Sequence, residues 1–259
     1  MPPKSTTSTP PTSPASKRGA LTTAALTVVA LAALAACSGN GSDASGGSDG
    51  SGKSSGSAAP TRQAGPAERL AQLMVTPAQV GGRSVEKPGE DYAFAASPSE
   101  VRLDKAVCAP LAYAMNQLPL GEPQADLTRV VKTDSMSDAP TYVTLTAYAP
   151  GGARSALSGL EKAVGACGAG FTATSKNAGT TYASVAAEQP TAPAGDERTA
   201  FKATLTVNGV THALHTEAVR AGDVVAVYFS VNGMAIAQNR PSDAKPMPAV
   251  VNAQNARLR

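Results

Sequence analysis

Residues 201–219 read Phe201-Lys-Ala-Thr-Leu-Thr-Val-Asn208-Gly209-Val210-Thr-His212-Ala-Leu-His215-Thr-Glu217-Ala-Val219. Apolar and polar side chains alternate on both sides of Asn208-Gly209. Asn-Gly is the dipeptide most favoured in a two-residue type I′ hairpin turn. Pairing across it sets Val207 opposite Val210, Leu205 opposite His212 and Ala203 opposite Leu214. A second turn, Arg220-Ala-Gly-Asp223, leads into another apolar run at 224–231. One face of this meander gathers Phe201, Leu205, Leu214, Val225, Val227 and Phe229. The other gathers Lys202, Thr204, Thr211, His215, Glu217 and Tyr228, with His215 opposite Lys202 and Tyr228. The pattern predicts an antiparallel sheet with one covered face and one wetter face.

Upstream, 151–167 is the best helix. Ala153, Ala156, Leu157, Leu160, Val164 and Cys167 fall on one stripe, and Gly168 and Gly170 end it. Residues 125–133 and 141–149 read as two strands joined by the polar turn 133–140. An N-terminal helix is expected from Pro66, with Leu70, Leu73 and Met74 on one face. A second is expected at Ser97-Pro98-Ser99-Glu100, which has the form of a capping box with proline at N1. Pro110 should break or kink the stretch that follows, just after Cys108. A short helix from about Pro248 ends the chain. Helices segregated around an antiparallel sheet define an α+β domain, expected over 62–259.

The N-terminal region is of another kind. Lys4, Lys17 and Arg18 precede the apolar run 20–36, and Leu34-Ala35-Ala36-Cys37 closes it. Basic start, short apolar core and small residues before a cut are the parts of a secretory signal. The last four residues look like a bacterial lipobox. That resemblance implies cleavage after residue 36 and lipidation of Cys37 with acyl chains such as palmitate. An uncleaved membrane helix is the competing reading. The run lies at the short end of the roughly 17–25 residues a span needs, and no basic stop-transfer block follows it. Residues 38–61 are almost pure Gly, Ser, Ala and Asp, which makes 37–61 a lipidated flexible tether. The chain is therefore expected outside the cytoplasmic membrane and anchored to it by lipid.

Charge and composition exclude several functions. The net charge of +3 comes from 22 basic and 19 acidic residues. Three of the basic ones precede position 37, so 19 of each sign remain in the mature chain. A neutral chain without a basic cluster has no field to gather nucleic acid. Tryptophan is absent and aromatic residues make up 4%, poor equipment for stacking on sugars or bases. Besides Cys37, two cysteines remain, Cys108 and Cys167, an even pair in an oxidising compartment. A disulfide is expected, the alternative being two buried free thiols. No histidine is spaced to join them in a metal site, so neither metal nor cofactor is expected.

Three catalytic patterns occur and fail on context. Residues 47–54 match the P-loop spacing and 46–50 the nucleophile-elbow spacing. Both lie in the Gly/Ser tether, with no strand before them or helix after. Ser242-Asp-Ala-Lys245 matches the Ser-x-x-Lys pattern, but it sits between Pro241 and Pro246, a loop signal, with no Lys-Thr-Gly partner. His212 and His215 are three residues apart on a strand and point to opposite faces, so they cannot share a metal through that strand. His212 should be a partly covered edge residue. An acid–base role for His215 is conceivable, but a place on a solvated sheet face is the simpler reading. No enzyme is expected.

The stretch Val143-Thr-Leu-Thr-Ala-Tyr-Ala-Pro150, then Ser155-Ala-Leu-Ser-Gly-Leu-Glu-Lys162, then Cys167 gives a strand, a helix and a cysteine near the helix end. This order resembles the PknH-like extracellular sensor domain family of high-GC Gram-positive bacteria, found on membrane Ser/Thr kinases and on free lipoproteins. The resemblance covers roughly 66–255. It implies a two-layer sandwich of antiparallel sheet and helices and a sensing or ligand-binding role. Members often carry a tryptophan near the second cysteine and a second disulfide, and both are missing here. No cleft residues can be carried over. The expected function is an anchored binding protein for a small or lipidic envelope ligand. The alternative is a cell-envelope protein–protein interaction module, with an envelope hydrolase third.

Overall fold

A computed structural model describes residues 64–89, 93–176, 178–191 and 193–259. The expectations for the signal, Cys37 and the tether, and the patterns at 46–54, lie outside these residues. Asn208 and Gly209 have φ of 50° and 80°, both in the left-handed region that a type I′ turn requires. The turn joins β7 (Glu197–Val207) to β8 (Val210–Ala221), and every pairing expected across it is present. Arg220 and Ala221 remain in β8, and the two-residue turn Gly222-Asp223 leads to β9 (Val224–Ser230).

This meander is the centre of a larger sheet. Beyond β9 come β4 (Thr141–Ala147), β3 (Ala125–Lys132) and β1 (Ser84–Glu86). Beyond β7 come β6 (Gly179–Glu188), β5 (Phe171–Thr174) and β2 (Arg102–Leu103). All neighbours along this path are antiparallel. Strand β10 (Ser242–Ala244) pairs parallel with β8 at 212–214, just past the stretch of β8 that β9 occupies.

Five α-helices accompany this sheet among the described residues: α1 (Pro66–Leu73), α2 (Ala109–Ala114), α3 (Gly152–Ala166), α4 (Gly233–Ala237) and α5 (Pro248–Arg257). They do not share one face. Helices α2 and α3 bury Leu111, Leu157 and Leu160 against Phe201, Ala203 and Val227. Helices α1 and α5 bury Leu70, Val250 and Val251 against Val143, Leu145 and Tyr228. Successive residues of β9 feed the two cores in turn, as the period of two demands. The fold is α+β with helices on both faces, rather than helices on a single face as the two-layer expectation had it. The wetter face is corrected with it: Tyr228 is fully buried, and Glu217 and His215 are 3% and 6% exposed. Tyr228 pairs with Glu217, not His215.

Other elements also depart from expectation. Ser97-Pro98-Ser99-Glu100 makes a single 3₁₀ turn, Pro98–Glu100. The Glu100 carboxylate accepts the Ala96 amide, and the chain then extends to pair β2 with β5. Pro110 is the second residue of α2 and does not break it, since amides of the first turn have no partner within the helix. Strands β5 and β6 carry no sequence signal of their own, because 171–188 is largely Thr, Ala and Ser with weak alternation. Ser242-Asp-Ala-Lys245 is not a loop: its first three residues are β10.

Candidate ligand cleft

Cys108 and Cys167 are bonded, with Cα atoms 6.0 Å apart. The bond joins the start of α2 to the end of α3. The chain leaves α3 through Gly170 at φ +79°, where a Cβ would run into the Tyr182 carbonyl oxygen, so glycine is required. Helix α2 ends at Ala114, with Met115 as its cap. The sheet continues past it.

Five adjacent strands bring apolar residues to the cleft there: Tyr142 from β4, Phe229 from β9, Leu214 from β8, Leu205 and Val207 from β7 and Tyr182 from β6. Register explains the strip. Tyr142 pairs with Phe229, and Leu205 with Tyr182, so each pair shares a face. The Tyr142 and Phe229 rings stack at 6.0 Å between centroids. The strip is the floor of a cleft of about 980 Å³. Met115, Asn116 and Gln117 form one wall, and Met234 and Ile236 from α4 another.

The rest of the mouth is polar. The 133–138 loop follows β3, and its Thr133 hydroxyl donates to Asp138 Oδ2 at 2.8 Å. Asn232 fastens two walls at once. Its Nδ2 donates to the Ser137 carbonyl at 3.0 Å, and its Oδ1 caps α4 by accepting the Ala235 amide at 2.9 Å. Lys132 and Glu86 pair at 2.5 Å beside the loop. The Lys132 ammonium, by hydrogen bond first, holds the Glu86 carboxyl below the usual range. Burial pushes the Tyr142 and Tyr182 phenols above theirs. Both phenols therefore stay neutral at physiological pH.

A second cluster lies on the other face of β8. The His215 ring sits between Glu188 Oε2, 2.6 Å from Nδ1, and Asp243 Oδ1, 2.5 Å from Nε2. A carboxylate only accepts, so the ring donates twice as imidazolium or one carboxyl keeps a proton. Asp243 is the central residue of β10 and Glu188 the last of β6, so the cluster links three strands. The solvated-face reading of His215 is corrected: Glu188, Asp243 and the 245–248 segment enclose it. His212 is fully buried rather than partly covered, with Nδ1 3.0 Å from Ser242 Oγ. The two histidines have separate partners. Among the described residues, no group of three or more His, Cys, Asp or Glu could hold a metal ion.

Sequence reading placed Leu205, Leu214 and Phe229 on one face as core. All three are buried in the same core as Leu111, Leu157 and Leu160, and they also line the cleft. Tyr142, Tyr182, Met115 and Met234 were not gathered into any site. The discriminating fact is where α2 stops, and no residue pattern marked that.

No family model matches the sequence, and no curated protein matches it. A solved structure, the extracellular domain of PknH from Mycobacterium tuberculosis, is similar with a TM-score of 0.47 and 13% identity, over 74% of this chain and 93% of that one. Among the described residues, no helix is long and apolar enough to cross a membrane.

Proposed function

We propose that this chain is an extracytoplasmic lipoprotein, anchored through Cys37, that binds a small or lipidic amphiphile in the cleft. The cleft carries the reading. Its volume lies near the top of the roughly 300–1,000 Å³ usual for small-molecule sites, and it has an apolar floor beneath a polar mouth. The Cys108–Cys167 bond supports an oxidising compartment. The role proposed is non-enzymatic. Both ring nitrogens of His215 are engaged by carboxylates, leaving neither to take a proton from a nucleophile.

The interaction-module alternative has less support. The edge strands β1 and β2 are three and two residues long, too short to template a partner strand. The 232–247 segment contains α4 and β10, both built into the fold.

Native mass spectrometry of the Cys37→Ser chain recovered from a secreting host tests the binding role. The expected result is a dissociable extra mass that disappears in Phe229→Asp. A bare mass, with no saturable uptake of single-chain lipids added afterwards, would overturn it. The anchor is tested separately by metabolic labelling with palmitate, which should mark the natural chain and not Cys37→Ser.

A further inference from the structure

We infer that the cleft discriminates by head-group charge, taking amphiphiles with a cationic head over the same chain with an anionic one. This rests on the reading of the cleft as a ligand site and adds the class of ligand. Tail and head meet different surfaces. The floor of Leu205, Leu214, Phe229 and Tyr182 offers no ionic partner, so a charged head cannot sit there without losing its hydration. The head stays at the mouth.

Four charged side chains line the cleft among the described residues: Glu86, Lys132, Asp134 and Asp138. Lys132 is matched by Glu86. Asp134 and Asp138 remain, both on the exposed 133–138 loop. Asp138 receives a neutral hydroxyl from Thr133, which leaves its charge in place. The loop is held to α4 through Asn232 and Ser137, so the two carboxylates stay at the mouth.

An anionic head arriving there meets two uncompensated carboxylates. To gain Lys132 it must displace Glu86, which adds a third. A quaternary ammonium head meets the same carboxylates as counter-ions and needs no hydrogen bond from the wall. Because Asp134 and Asp138 are exposed, salt screens their effect. The preference is expected at about three- to tenfold at low salt, shrinking as salt rises.

The test uses the full chain in phosphatidylcholine nanodiscs and two photo-reactive hexadecyl probes that differ only in the head, trimethylammonium or sulfate. Labelled cleft peptides are counted by mass spectrometry. The expected result is several-fold stronger cleft labelling by the trimethylammonium probe, with the ratio falling several-fold in the Asp134→Asn/Asp138→Asn double variant. That variant also corrects for unequal partition of the probes into the disc. Tyr142→Ala, which cuts the floor and keeps the charges, should weaken labelling by both probes alike. Equal or stronger labelling by the sulfate probe, or a ratio unmoved in the double variant, overturns the charge inference and leaves the cleft as a ligand site. Failure of both probes to label the cleft above surface peptides overturns the ligand site itself.

Discussion

The two faces of the sheet are closed by different means. On one, α2 and α3 are tied covalently through Cys108–Cys167. On the other, α1 and α5 have no covalent tie, and a buried amide holds them. Gln254, fully buried in α5, accepts the Val75 amide at 3.0 Å and donates to the Leu73 carbonyl at 2.9 Å. Arg257 adds bonds to the Leu73 and Gln72 carbonyls. The amide-tied face is filled around Leu70, Val143, Leu145 and Tyr228. The disulfide-tied face carries the cleft, because α2 has only six residues and stops short of the strip it would otherwise cover. A helix so short is far below the roughly 12–15 residues that are even marginal alone. The disulfide thus holds in place a wall that is too short to hold itself, and shortness of that wall is what leaves the opening.

The largest test of this contrast removes the covalent tie. Cys108→Ser with Cys167→Ser, 59 residues apart, should lower stability by about 4 kcal/mol in the chain-entropy account. Urea unfolding measures this. Ligand uptake should fall further than stability does, since Met115 and Asn116 of the cleft wall follow α2 directly. Equal losses on both counts would mean that α2 keeps its place without the bond.

Strand β4 allows a finer test, because its residues face opposite ways. Leu145→Ala, in the filled core, should cost about 2–5 kcal/mol. Tyr142→Ala, on the cleft floor and only partly buried, should cost under about 2 kcal/mol and lower ligand uptake. If Tyr142→Ala proves as destabilising as Leu145→Ala, the cleft is core and the contrast fails.

Gln254→Leu should cost about 1–3 kcal/mol by leaving the buried Val75 amide without its acceptor. Hydrogen exchange should then rise in α1 and α5 and stay unchanged in α2 and α3. Protection lost evenly over both faces would show that the amide does not act locally.

The smallest effect is one of pH. The hydrogen bond from His215 is the first cause holding the Asp243 carboxyl below its ordinary value. The folded state therefore takes up this proton at lower pH than the unfolded chain does. The stability so gained is present above about pH 3.9 and is lost as pH falls through the folded value. Asp243 is largely exposed, so screening keeps the gain under about 1 kcal/mol. Asp243→Asn should flatten the acid limb of a stability profile by that amount. An unchanged limb would show that the His215 contact is not linked to folding.

Much of the fold was legible along the chain. The Asn208-Gly209 turn, the register of β7 on β8 and the α3 stripe depend on residues close in sequence, whose chemistry decides φ and period locally. The disulfide was legible because only two cysteines follow Cys37. Strands β5 and β6 were not, since Thr and Ala carry little alternation and these strands gain order from neighbours already in place. The His215 cluster could not be read at all. Its carboxylates lie 27 and 28 residues away on β6 and β10.

By itself, the sequence determined the antiparallel meander, the α+β composition and the pairing of Cys108 with Cys167. Each follows from side-chain period, turn chemistry or a count of thiols. Tertiary structure alone decided that the sheet is covered on both faces and that a cleft opens beyond α2. Which core residues also border the cleft depends on how far a covering helix reaches. That reach is set by packing among distant elements, and no local pattern in the chain records it.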